Sequence, residues 1–126
     1  MKIGSYRLGP QQVAVFGQKG LNAEFNMTPA APQKPFIRIG LGGGDIESAW
    51  VLVTHEALEA LLALTFCRYQ QSLRALLAPS DGYHFWLDHR QLSEVAGWLA
   101  AFQCALAKDL TRACKQWRKE RKGGSA

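Results

Sequence analysis

The sequence predicts an α+β fold, an antiparallel four- to five-stranded β-meander followed by two helices, the second long and basic at its C-terminus. Three observations carry this. Apolar and polar residues alternate, as on half-buried strands, only up to Val53. Beyond Thr54 the apolar residues recur at three- and four-residue intervals, as on a helix with one buried face. Between the two patterns the run Ala49-Trp50-Val51-Leu52-Val53 passes into the helical pattern at Thr54 with no spacer residue.

The elements follow in order. Ser5–Leu8 suits a short strand, and Gln12–Phe16 places Val13 and Val15 on one face. Gly17-Gln18-Lys19-Gly20 forms a turn. Leu21, Ala23, Phe25 and Met27 then point one way and Asn22, Glu24 and Asn26 the other. Thr28–Pro35 holds three prolines, which cannot donate to a ladder, and is a loop. Phe36–Leu41 alternates again, with Ile37, Ile39 and Leu41 inward and Phe36 and Arg38 outward. Gly42-Gly43-Gly44-Asp45 closes a second hairpin into a last strand, Ile46–Val53. Thr54 is a suitable N-cap for the first helix, whose stripe runs from Leu58 through Leu62, Phe66 and Leu73 to Leu77. Pro79-Ser80-Asp81-Gly82 breaks it. Asp88 and Gln91 have the spacing of a capping box for a second helix carrying Leu92, Val95, Leu99, Phe102, Leu106, Leu110, Ala113 and Trp117. One domain results: sheet 5–53, helix 54–78, long helix 88–121 and a flexible tail 122–126.

At 126 residues such a domain buries a core without covalent staples. No stretch suits a membrane span or a signal peptide, so the expectation is a soluble cytoplasmic protein, with a bacterial, phage or plasmid origin favoured over an organellar one. Cys67, Cys104 and Cys114 lie in apolar helical runs, an odd count that argues against a disulfide framework and for small core residues. Charge is unevenly placed. Lys108, Arg112, Lys115, Arg118, Lys119, Arg121 and Lys122 face only Asp109 and Glu120, so the whole excess of +5 lies between Lys108 and Lys122. A basic arm of this kind attracts phosphates through counterion release.

Enzyme signatures are weak. Gly40-Leu41-Gly42-Gly43-Gly44-Asp45 looks like a phosphate loop, but on the expected topology it leads into a strand, and no Gly-Lys-Ser/Thr follows. His84, Asp88 and His89, with His55 as the one remaining histidine, fall short of a zinc set, and Asp88 is accounted for as a cap. Glu56 and Glu59 are explained as first-turn carboxylates suited to the helix dipole. The expectation is a non-enzyme with neither metal nor cofactor.

Two stretches carry a family resemblance. Tyr6-Arg7-Leu8-Gly9, Val13-Ala14-Val15-Phe16 and Gly20-Leu21-Asn22-Ala23-Glu24-Phe25 are similar to the strand pattern of the positive-cofactor-four type transcriptional coactivators. Glu47–Thr54 continuing through Ala57–Leu62 and Phe66 resembles the strand-Thr-helix junction of Whirly proteins. The resemblance spans residues 5 to 77 and implies a single-stranded-DNA-binding transcription regulator; a similar fold serves guide-RNA-binding proteins.

Single strands are held by bases stacked on aromatic side chains while Lys and Arg follow the phosphates. On the outward strand faces and adjoining loops the candidates are Gln12, Phe16, Lys19, Asn22, Asn26, Lys34, Phe36, Arg38 and Trp50, with Lys115, Arg118 and Lys119 on the basic helix. The expected partners are single-stranded DNA or RNA and further copies of the chain, as a homodimer or larger, with no membrane. The alternative is a protein-interaction module of a phage or plasmid, an inhibitor of a host defence complex or a conjugation accessory factor, without nucleic-acid binding.

Overall fold

The computed structural model describes residues 1–70 and 83–124. Its order is β1 (Lys2–Leu8), β2 (Gln11–Gln18), β3 (Ala23–Asn26), β4 (Phe36–Gly40), α1 (Ile46–Leu64), β5 (Arg68–Gln70), β6 (Tyr83–Phe85) and α2 (His89–Gly124). The α+β class holds, but the sheet is not an antiparallel meander: its order is β1-β2-β4-β3. β1 and β2 form a hairpin across Gly9-Pro10, where φ of 61° at Gly9 followed by Pro is the order a type II′ turn requires. β3 then runs back one strand-width away, and β4 fills the gap, parallel to β2 and antiparallel to β3. β5 and β6 pair separately as a small antiparallel ribbon.

The expected fifth strand, Ile46–Val53, is the first half of α1. Asp45, not Thr54, caps this helix, its Oδ1 accepting from the Ser48 amide at 2.6 Å. That bond also holds the Asp45 carboxyl below the usual carboxylate range. Buried Ala49, Val53, Ala57, Ala60 and Leu61 repeat at helical spacing, and this packing overrides the strand preference of the Trp50–Val53 run. Thr54 lies mid-helix, where its Oγ1 accepts from Gln103 Nε2 of α2 at 3.1 Å.

α1 also stops earlier than the expected residue 78. The amide of Phe66 donates to the Ala63 carbonyl and that of Cys67 to the Leu62 carbonyl, the two bonds of a Schellman cap, with Phe66 at φ 60° where glycine is usual. The remainder of the expected stripe, Leu73 to Leu77, and the break at Pro79–Gly82 lie outside the described residues.

α2 begins as expected: Asp88 Oδ1 accepts from the Gln91 amide at 2.8 Å, and Gln91 Oε1 accepts from the Asp88 amide at 2.9 Å. It runs 36 residues, roughly 54 Å. Val95, Phe102, Leu106, Leu110, Ala113 and Cys114 face inward, whereas Leu92 is exposed. Both helices lie on one face of the sheet, where Tyr6, Leu8, Val13, Val15, Ile37 and Ile39 complete a single core with them. Tyr6 fastens α2 to β1: its ring meets Phe102 edge-on at 6.0 Å, and its hydroxyl donates to Asp109 Oδ2 at 2.5 Å. Burial and this carboxylate push the Tyr6 hydroxyl well above its ordinary pKa.

Of the three cysteines, Cys67 and Cys114 are buried, and Cys67 follows the end of α1. Cys104, expected in the core, is exposed because it falls off the buried stripe of α2. Among the described residues no helix is long and apolar enough to cross a membrane.

Phe102→Ala is expected to cost about 3–5 kcal/mol of unfolding free energy, and Leu92→Ala no more than about 0.5 kcal/mol; denaturant titration distinguishes them. Thiol labelling of the native protein should give one fast-reacting group, at Cys104. Cys67 and Cys114 should react only on opening; in the closed state burial also pushes the Cys114 thiol pKa up, which keeps it protonated there.

Candidate nucleic-acid interface

Because both described helices cover the same face of the sheet, the other face carries the alternate residues of each strand. Register sets them side by side: Ala14 beside Phe36, Phe16 beside Arg38, Lys2 beside Phe16, Ser5 beside Ala14, and Arg7 beside Gln12. On the far side of β4, Arg38 is opposite Glu24, and Phe36 is opposite Asn26. A concavity of about 600 Å³ lies here, with Ser5, Ala14 and Phe16 among its lining and Gln33, Lys34 and Pro35 contributed by the preceding loop.

At its centre the Arg38 guanidinium lies 4.1 Å over the Phe36 ring. Phe36 is only 8% exposed, so the surface it presents is the outer plane of Arg38. Arg38 Nη1 also donates to Glu24 Oε1 at 2.9 Å, which fixes its orientation and offsets its charge. A planar guanidinium held in this way offers a stacking plane, with the half-buried Phe16 as its neighbour. Charge complementary to a phosphate chain comes from Lys2 and Lys34 beside the concavity and Arg7 further along β1.

Of the candidates named from sequence, Gln12, Phe16, Lys34, Phe36 and Arg38 come together in this concavity. Asn26 neighbours Phe36 across the β3–β4 ladder, but its Oδ1 is used by the Thr28 amide at 2.9 Å. Lys19 and Asn22 lie in the exposed β2–β3 turn, outside the concavity. Trp50 is misplaced by the sequence reading: it belongs to α1 and packs partly buried against the core, in the helical layer. Lys115, Arg118 and Lys119 are exposed on α2. That end of α2 adjoins the start of α1, where Arg121 donates to the Gly42 carbonyl at 3.2 Å. Sequence reasoning missed Lys2, Ser5 and Gln33. Lys2 was out of reach of a period-two reading, because a register shift between Lys2 and Gly4 breaks the alternation of β1 and brings Lys2 beside Phe16.

The glycine loop needs a second correction, since it does lead from a strand into a helix N-terminus. Its glycines nonetheless serve packing. A Cβ at Gly40 or Gly42 would fall on the Gly20 carbonyl, because the amides of Gly40, Leu41 and Gly42 donate to the carbonyls of Asn22, Gln18 and Gly20. The first turn of α1 is served by Asp45, a carboxylate where a phosphate would have to sit.

Glu56 also departs from expectation. It is not an exposed first-turn carboxylate but a buried mid-helix one beside a second cleft. Among the described residues no group of three or more His, Cys, Asp or Glu side chains could hold a metal ion. The segment likened to a strand-Thr-helix junction lies within α1 and the cap that ends it. Compared with known proteins, the chain matches no family model, no curated protein and no solved structure.

Proposed function

We propose that the protein binds single-stranded nucleic acid on the uncovered sheet face. The observation that carries this is the concavity in which Phe16 and the Phe36-backed plane of Arg38 lie side by side with Lys2 and Lys34 at hand. Bases stack on Phe16 and Arg38, while Lys2, Lys34 and Arg7 meet the phosphates and Gln12 and Gln33 supply amides for base edges. The pairing of Arg38 with Glu24 favours stacking over a phosphate contact for that guanidinium. Lys115, Arg118 and Lys119 belong to the helical layer and act on the same strand from its margin, as a salt-sensitive field.

Fluorescence anisotropy with a labelled thymidine oligomer, in about 50 and 200 mM salt, tests this. Phe16→Ala should weaken binding to the single strand by about 1–3 kcal/mol with the salt dependence kept. Lys115→Gln, Arg118→Gln and Lys119→Gln together should lower the slope of log affinity against log salt by roughly 2. Absence of binding at the lower salt, or tighter binding to a duplex, rules the proposal out.

A second reading, a docking module for a partner protein, draws on a different observation. Phe66 and Trp86 are 82% and 79% exposed, and the Trp86 amide is tied to the Cys67 carbonyl at 2.8 Å, so two large aromatics stand near one another. If that reading is right, oligonucleotide affinity is absent and Phe66→Ser and Trp86→Ser leave the fold intact.

A further inference from the structure

We propose that the cleft between the end of β3, the middle of α1 and the β5–β6 ribbon binds a primary alkylammonium group, with Glu56 as the carboxylate that receives it. The cleft is about 570 Å³ and lies in the helical layer, away from the uncovered sheet face. Glu56 is one of its walls, only 9% exposed, and it is the buried charged side chain among the described residues. No hydrogen bond or ion pair satisfies its carboxyl there. An acidic group in that position persists at a cost unless something in the cleft compensates it.

The neighbouring groups narrow the ligand. Glu59 already has a partner on each oxygen: the Arg68 guanidinium, Nη2 at 3.6 Å from Oε1, and the His55 ring, Nε2 at 3.3 Å from Oε2. Arg68 in turn occupies the aromatic faces, lying 3.6 Å over the Tyr83 ring and 5.6 Å from the centre of Phe25. An aromatic cage for a quaternary ammonium is therefore taken, and a second guanidinium has no flat surface left to stack on. Among the described residues the carboxylate that remains is Glu56, and Met27, Ala63 and Leu64 line the same cleft. A narrow aliphatic stem ending in a hydrogen-bonding ammonium fits that combination, and the N–H donors matter because Glu56 needs a donor as well as a charge.

The charged groups facing Glu56 are His55, Glu59, Glu24 and Arg68. Burial foremost, with Glu59 and Glu24 adding to it and His55 and Arg68 opposing, raises its pKa. The sign follows: unliganded protein loses stability as pH rises through the raised value, and an ammonium ligand binds more tightly over the same interval, because only ionised Glu56 attracts it.

Titration of the 13C-labelled protein with n-butylammonium, followed by NMR at the side-chain carbonyl carbon of residue 56 (carboxyl in the wild type, carboxamide in Glu56→Gln) at pH 5 and pH 8, is the test. A saturable shift that strengthens toward pH 8, weakened roughly 10- to 100-fold in Glu56→Gln, is expected. Tetramethylammonium should give no such shift. Nα-acetyl-lysine methylamide and cadaverine distinguish the sources: tighter binding of the former assigns a lysine side chain of a peptide, of the latter a free diamine. Glu56→Gln should also melt higher than the wild type at pH 8, a readout that needs no ligand and shows that the variant folds. Equal affinity for butylammonium in wild type and Glu56→Gln, an equal response to tetramethylammonium, or no saturable shift at either pH overturns the proposal.

Discussion

The side-by-side seating of α1 and α2 on one face of the sheet is the constraint from which the other features follow. β2 and β4 lie in the middle of the sheet, and their inward residues Val13, Val15, Ile37 and Ile39 are almost wholly removed from water. α1 covers the β3–β4 side and approaches closely because its inward stripe holds the small residues Ala49, Ala57 and Ala60. α2 covers the β1 side with Phe102, Leu106 and Leu110, and the Tyr6 hydroxyl fixes its position along the strand through Asp109. A strand has only two faces, so committing one wholly to the helices leaves Phe16, Phe36 and Arg38 on the other.

How much of this was legible depends on whether a pattern is local. Inward positions Val13, Val15, Ile37 and Ile39 were readable, because period-two alternation assigns a face without any knowledge of neighbours. The capping box at Asp88 and Gln91 was readable for the same reason: both of its bonds close within four residues. Residues 46–53 were not. Over eight positions an apolar run with β-branched members fits a strand as well as the first turns of a helix, and what decides is the contact of Ala49 and Val53 with a core assembled elsewhere. The same error displaced Trp50 and hid the buried position of Glu56, which belongs to a helix that starts two turns earlier than Thr54. Cys104 shows the limit from the other side, since its run is apolar but its angle on α2 turns it to solvent.

Strand order lay furthest from reach. Nothing in the alternation of β2, β3 and β4 distinguishes a meander from an inserted strand, because every strand presents the same two faces in either arrangement. The trace that did exist was the glycine spacing. Gly20 is far in the chain from Gly40 and Gly42, yet each of the three carries the missing Cβ or the carbonyl that lets the β2–β3 turn close over the end of β4. Read along the chain, the same glycines suggest a hairpin or a phosphate loop; only the three-way contact explains why all of them are needed.

That inserted order also builds the candidate site. Placing β4 between β2 and β3 gives Arg38 two lateral neighbours of opposite use, Phe16 on one side and Glu24 on the other, and gives Phe36 the small Ala14 and the short Asn26. Small neighbours leave the hollow, Glu24 holds the guanidinium flat over the ring, and Phe16 extends the planar surface beside it. In a meander β2 and β4 would not be adjacent, so Phe16 and Arg38 would be separated by a strand and no shared concavity would form. The proposed interface therefore rests on a parallel pairing, β2 with β4, that puts together residues more than twenty positions apart in the chain.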